Sequence, residues 1–126
     1  MTDLTALSYT EEHEWVAAAG DVATVGVTDF ATEQLGDIVY VDLPSVGQTV
    51  TAGAVMGEIE STKSVSELYA PVTGEVVEIN ADADSDPAIV GDDPFGAGWL
   101  VKVRLSAPAE GLLDRAAYER LTGAGS

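Results

Sequence analysis

The chain has 126 residues, enough for one core, and reads as one domain over residues 1–126. Five basic residues against twenty-two acidic ones give 5 − 22 = −17, a charge that repels nucleic-acid phosphates and anionic membranes and favours basic faces on protein partners. Cysteine is absent, which excludes disulfides, thiolate metal sites and a cysteine nucleophile; any dithiol chemistry has to arrive on a prosthetic group.

Met1–Ala6 has neither a basic nor an apolar signal region, and no apolar run approaches the roughly 18 residues of a membrane span. A bacterial cytoplasmic setting is expected, although a processed mitochondrial protein would read the same way. Leu7 to Trp15 opens with a short strand. Trp15–Ala19 and Val22–Val27 flank the turn pair Gly20-Asp21 and predict a hairpin. Thr28 is placed to cap a short helix with Asp29 in its first turn, Phe30 and Leu35 as core contacts and Gly36 at its end. Ile38–Leu43 predicts a strand ended by Pro44, and Gln48–Thr51 a short segment between turns. Glu75–Ile79 and Trp99–Leu105 predict further strands, the last with Lys102 and Arg104 on its polar face. Asn80–Asp93, with five aspartates, reads as an acidic loop. Beyond Pro108 a helical stripe of Leu113, Ala117 and Leu121, with Leu112 and Ala116 beside it, predicts a terminal helix capped by Asp114, and Gly123–Ser126 is expected to fray. Short strands with turns at close intervals predict a mainly β sandwich or barrel with short helices.

One stretch organises the rest. Val55–Glu60 and Val65–Tyr69 alternate inward and outward around Ser61-Thr62-Lys63-Ser64, the pattern of a hairpin with a polar tip. Lys63 is one of two lysines in the chain. An isolated amine on an exposed tip, between small hydroxyl residues, suits covalent modification by another enzyme; the plain alternative is an ordinary surface lysine. Tethering a carried group there would replace diffusion with an effective concentration of roughly mM once a partner docks.

Glu60-Ser61-Thr62-Lys63-Ser64, followed by Ala70-Pro71-Val72-Thr73-Gly74-Glu75-Val76-Val77-Glu78-Ile79-Asn80, resembles the lipoyl-attachment region of the glycine cleavage system H protein family. The resemblance extends to Tyr9–Trp15, Gly26–Ala31, Gln34–Asp37, Val41–Pro44, Asp93–Gly96 and Gly98–Leu100, and so runs through nearly the whole chain. It implies a lipoyl/biotinyl-type barrel-sandwich hybrid and covalent lipoate on Lys63, attached by lipoate-attaching enzymes. It further implies a non-catalytic carrier that takes an aminomethyl group from the glycine decarboxylase P protein to the aminomethyltransferase T protein. The reduced arm would then be reoxidised by dihydrolipoamide dehydrogenase, the L protein. By the same resemblance Glu14 and Glu67 are candidates to meet the charged amine in an arm-docking cleft. Thr62 and Ser64 depart from the valine-like residue and alanine expected at those places, but both are small. A biotin carrier would set its lysine between methionines, and Thr62 and Ser64 stand there instead.

The remaining candidates have weaker chemistry. His13 among Glu11, Glu12 and Glu14 offers a general base or a single metal ligand; the bland reading is a surface strand with Trp15 packed inward. No second histidine or cysteine completes a zinc site, so no metal is expected. Asp82-Ala83-Asp84-Ser85-Asp86 imitates the start of a calcium loop, but Pro87 and Asp93 stand where that loop needs glycine and glutamate. Two other functions stay open: an H-like lipoyl carrier for lipoate relay or another complex, and an unmodified acidic interaction module or small hydrolase. The missing nucleophile–base set argues against hydrolysis.

Overall fold

The computed structural model describes residues 7–107 and 112–122; the expectations for Met1–Ala6 and Gly123–Ser126 lie outside them. In chain order the elements are β1 (Ser8–Tyr9), β2 (Glu14–Ala19), β3 (Val22–Val27), α1 (Asp29–Leu35), β4 (Ile38–Asp42), β5 (Thr49–Val50) and β6 (Val55–Ser61). They continue as β7 (Val65–Tyr69), β8 (Gly74–Ile79), α2 (Ala81–Ser85), α3 (Ala88–Asp92), β9 (Val101–Leu105) and α4 (Arg115–Thr122). A six-stranded sheet of order β1-β2-β3-β9-β8-β5 faces a three-stranded sheet of order β4-β6-β7, with antiparallel pairing throughout. The mainly β architecture with short helices, one of them C-terminal, is as expected, and the two sheets are not closed into one another.

The core follows from period-two patterning. Ala23, Val25 and Val27 of β3, Val101 and Val103 of β9 and Val76 of β8 face Val41, Ile59 and Leu68 of the smaller sheet. Burying each of these valine, isoleucine and leucine side chains is worth roughly 1.5–3 kcal/mol. On the outer face Lys102 and Arg104 pair across strands with Glu78 and Glu75, at 3.9 and 3.8 Å. Both pairs are solvated and add little. A second apolar cluster joins Tyr9, Trp15 and Tyr118, the Tyr9 and Tyr118 rings stacked with centroids 4.8 Å apart. The Trp15 indole donates to the Pro94 carbonyl at 2.9 Å.

Thr28 caps α1 by accepting from the Ala31 amide, and Gly36, at φ 84°, ends it with its N–H on the Thr32 carbonyl. Leu35 packs on the core, but Thr32 is the buried residue of the helix, and Phe30 lies against the His13 ring at 4.8 Å instead.

Two expectations are corrected. The stretch read as an acidic loop holds α2 and α3. The Asn80 side chain caps α2, accepting from the Asp82 amide and donating to the carbonyls of Ala97 and Trp99. Five-residue helices are too short to show a 3.6 period, and aspartate is a poor helix former, so the cap was the only signal. The face of α4 also differs. Asp114 does cap it, accepting from Ala117 at 2.8 Å. Leu113, however, precedes the helix in a bridge to Tyr9, Leu121 is exposed, and the buried residue is Tyr118, drawn in by its stack on Tyr9.

Candidate functional site

The β6–β7 hairpin turns through Ser61–Ser64, held by one side chain. Ser61 Oγ accepts from the amides of Lys63 at 3.2 Å and Ser64 at 3.0 Å and donates to the Ser64 carbonyl at 3.1 Å. The Ser61 amide donates to that carbonyl at 2.8 Å, and the Thr62 amide reaches the Asp37 carbonyl at 3.0 Å. The tip is thus closed on itself and pinned to the end of α1, while Lys63 stays exposed. Its stem lies over Gly36, where an ideal Cβ would stand 3.0 Å from Lys63 Cε and 3.8 Å from Nζ. The backbone is fixed and the amine is open, which is what a modifying enzyme and a defined arm origin both require.

Glu14 corrects the reading of its segment as a surface strand. It is 2% exposed, beside Trp15 at 3%. Consecutive strand residues point to opposite faces, and here both faces are covered. Trp15 is covered by Pro94 and Phe95, and Glu14 faces a cleft of about 410 Å³. Thr10, Glu12 and Glu14 line one part of the cleft; Gly53 and Pro71, from the turns before β6 and after β7, line another. Those turns are joined by the Gly53 amide on the Ala70 carbonyl at 2.8 Å and the Ala70 amide on the Ala54 carbonyl at 2.9 Å.

Burial pushes the Glu14 carboxyl up to about 8, and the Glu12 charge adds to the rise. Bonds from the Thr10 hydroxyl and the Tyr69 amide oppose it without reversing it. Tyr69 ends β7, so the hairpin that carries Lys63 also touches Glu14. Glu67 goes elsewhere. It is exposed, in register with Glu58, which is in register with Asp42, giving an outward row of three carboxylates across the small sheet. Glu14 and Glu67 therefore do not share one pocket wall.

His13 takes a left-handed conformation, φ 67°. Its Nδ1 is 2.8 Å from the Tyr118 hydroxyl, which is 2.7 Å from Thr28 Oγ1. Burial lowers its pKa against the raising effect of Glu12. The ring thus joins α4 to the cap of α1, a packing role. Among the described residues no cluster of three or more His, Asp or Glu is disposed to hold a metal ion, and Asp82, Asp84 and Ser85 lie within α2. The part of Thr10 beside Glu14 and that of Gly36 beneath Lys63 were not evident from the sequence. A hydroxyl four residues before Glu14 was a faint signal for the first; the contact of Gly36 with Lys63 is long-range and left none.

The sequence model of the glycine cleavage H-protein family matches residues 7–124. The chain belongs to this family. It is 57% identical over 123 residues to the glycine cleavage system H protein of Clavibacter sepedonicus, covering 98% of this chain and 99% of that protein. It is 60% identical over 116 residues to the protein of the same name from Thermobifida fusca, covering 92% of each. A crystal structure of a glycine cleavage system H protein from Mycobacterium marinum superposes with a TM-score of 0.90 at 47% identity, over 94% of this chain and 98% of that one. H proteins are the lipoyl-carrying component of the glycine cleavage system and work with its other components. These relatives are bacterial, and among the described residues no helix is long and apolar enough to cross a membrane.

Proposed function

We propose that Lys63 carries the lipoyl group and that residues 1–126 form one carrier domain, without catalytic residues of its own, in a bacterial cytoplasm. The observation that supports this reading most is the tip itself: an exposed lysine on a turn closed by Ser61 Oγ, with its stem over a glycine that leaves room for it. Lys63 would hold a dithiolane, whose disulfide would supply the acceptor for an aminomethyl group at the P protein, for delivery to the T protein and reoxidation by dihydrolipoamide dehydrogenase. Lipoate-attaching enzymes need only Lys63 and its surroundings, since Thr62 and Ser64 are small and exposed.

The chain contributes attachment, reach and shelter. Stem and arm together extend on the order of 12–15 Å, enough to pass Glu67 along β7. The Glu67–Glu58–Asp42 row draws a cationic cargo toward that side of the hairpin. In the cleft an arriving ammonium favours the ionised form of Glu14, whose neutral form burial otherwise favours. Glu14 then holds the cargo where solvent access is reduced.

The test is glycine–bicarbonate exchange with P protein. Lipoylated wild type supports exchange and Lys63→Arg does not. Glu14→Gln keeps the exchange but shortens the life of the loaded arm. A lipoylated chain that supports no exchange belongs to lipoate relay or another complex.

A further inference from the structure

A second recess lies directly beside the lysine, away from Glu14. It measures about 240 Å³ and is bounded by the end of α1, the start of β4 and α3. Ile38, Ala88 and Gly91 contribute to its apolar lining, and Glu33, Asp37 and Asp92 bring three carboxylates to it. Gly36, on which the Lys63 stem rests, is part of its wall, with Lys63 Nζ 3.8 Å from where a Cβ on that glycine would stand. A recess of this size is comparable with a five-membered ring and the end of its chain.

We propose that this recess is a parking site for the unloaded arm: the oxidised dithiolane on Lys63 folds back over Gly36 and rests on Ile38, Ala88 and Gly91. Neutral, polarisable sulfur suits the apolar part of this lining. The three lining carboxylates repel a thiolate and so favour the disulfide form over an ionised dithiol. The arm thus has two resting places, this recess when empty and the Glu14 cleft when loaded. The inference rests on lipoylation of Lys63.

The experiment compares backbone amide shifts of unmodified, Lys63-acetylated and Lys63-lipoylated protein. Acetylation removes the charge without adding a ring. Shifts at Ala88 and Gly91 in the lipoylated protein alone are expected; the same shifts in the acetylated protein, or none in either, overturn the proposal. Gly91→Leu fills the recess at an exposed position where a Cβ meets only Ile38 Cγ1, at 3.7 Å. With an arm parked about two-thirds of the time, dithiothreitol should reduce it roughly threefold faster in this variant than in wild type. Equal rates overturn the proposal. An unmodified Lys63 by mass defeats the lipoyl reading as well, whereas a lipoylated Lys63 with silent Ala88 and Gly91 defeats the parking site alone.

Discussion

Thr10 Oγ1 donates a 2.7 Å hydrogen bond to Glu14 Oε1 and accepts one from the Glu14 amide at 3.2 Å. The turn that makes this possible ends at His13, whose amide reaches the Thr10 carbonyl at 3.1 Å. A left-handed residue four places after Tyr9 thus folds a hydroxyl over a buried carboxyl. The pair sits at the wall of the larger cleft, and its proton inventory can be measured.

Glu14 is raised from 4.5 to about 8, so between those values the folded chain holds a proton that the unfolded chain has lost. Stability from this group is therefore greatest below about pH 4.5 and falls as pH rises toward 8. Glu14→Gln removes the dependence. Its stability relative to wild type should grow between about pH 5 and pH 8, by up to a few kcal/mol, in chemical denaturation series. Thr10→Val, which deletes an opposing bond, should push the carboxyl higher still, read by the carboxyl carbon shift in an NMR titration.

Tyr118 closes a chain from His13 to the cap of α1, with its hydroxyl 2.8 Å from His13 Nδ1 and 2.7 Å from Thr28 Oγ1. Tyr118→Phe keeps the stack on Tyr9 and removes both bonds. The expected loss is about 1–3 kcal/mol, since Thr28 is fully buried and finds no water in exchange. Thermal unfolding measures it, with a fall of several degrees expected.

The sheets were legible because alternation is a local signal: β2, β3, β6 and β7 each stand where period and turn residues place them. The cap at Thr28 and the stop at Gly36 were legible for the same reason. What stayed hidden depended on distant partners. Glu14 looked like a surface residue because the turns that bury it come from residues 52–53 and 70–71. Tyr118 displaced Leu121 as the buried face of α4 because Tyr9, over a hundred residues away, offers a ring to stack on. Lys63 was legible as a lone amine on a polar tip, while the surface under its stem was not.

Ser61 is the residue that gives the tip its shape. Ser61→Ala removes the acceptor of two amides and the donor to the Ser64 carbonyl. Because the turn is exposed, water takes up much of the loss and global stability should fall by no more than about 1 kcal/mol. The local effect is larger: amide hydrogen exchange at Lys63 and Ser64 should accelerate several-fold while exchange in β6 stays unchanged. Lipoylation by a lipoate-attaching enzyme should slow in parallel.

Whether Lys63 bears the arm is decided by intact-mass measurement with peptide mapping. The protein is expressed in a host that makes lipoate, beside Lys63→Arg. The added mass of one lipoyl group is expected on the peptide containing Lys63 and is absent from the variant. An unmodified Lys63 in that host, or a modified Lys102 in its place, would contradict attachment at Lys63.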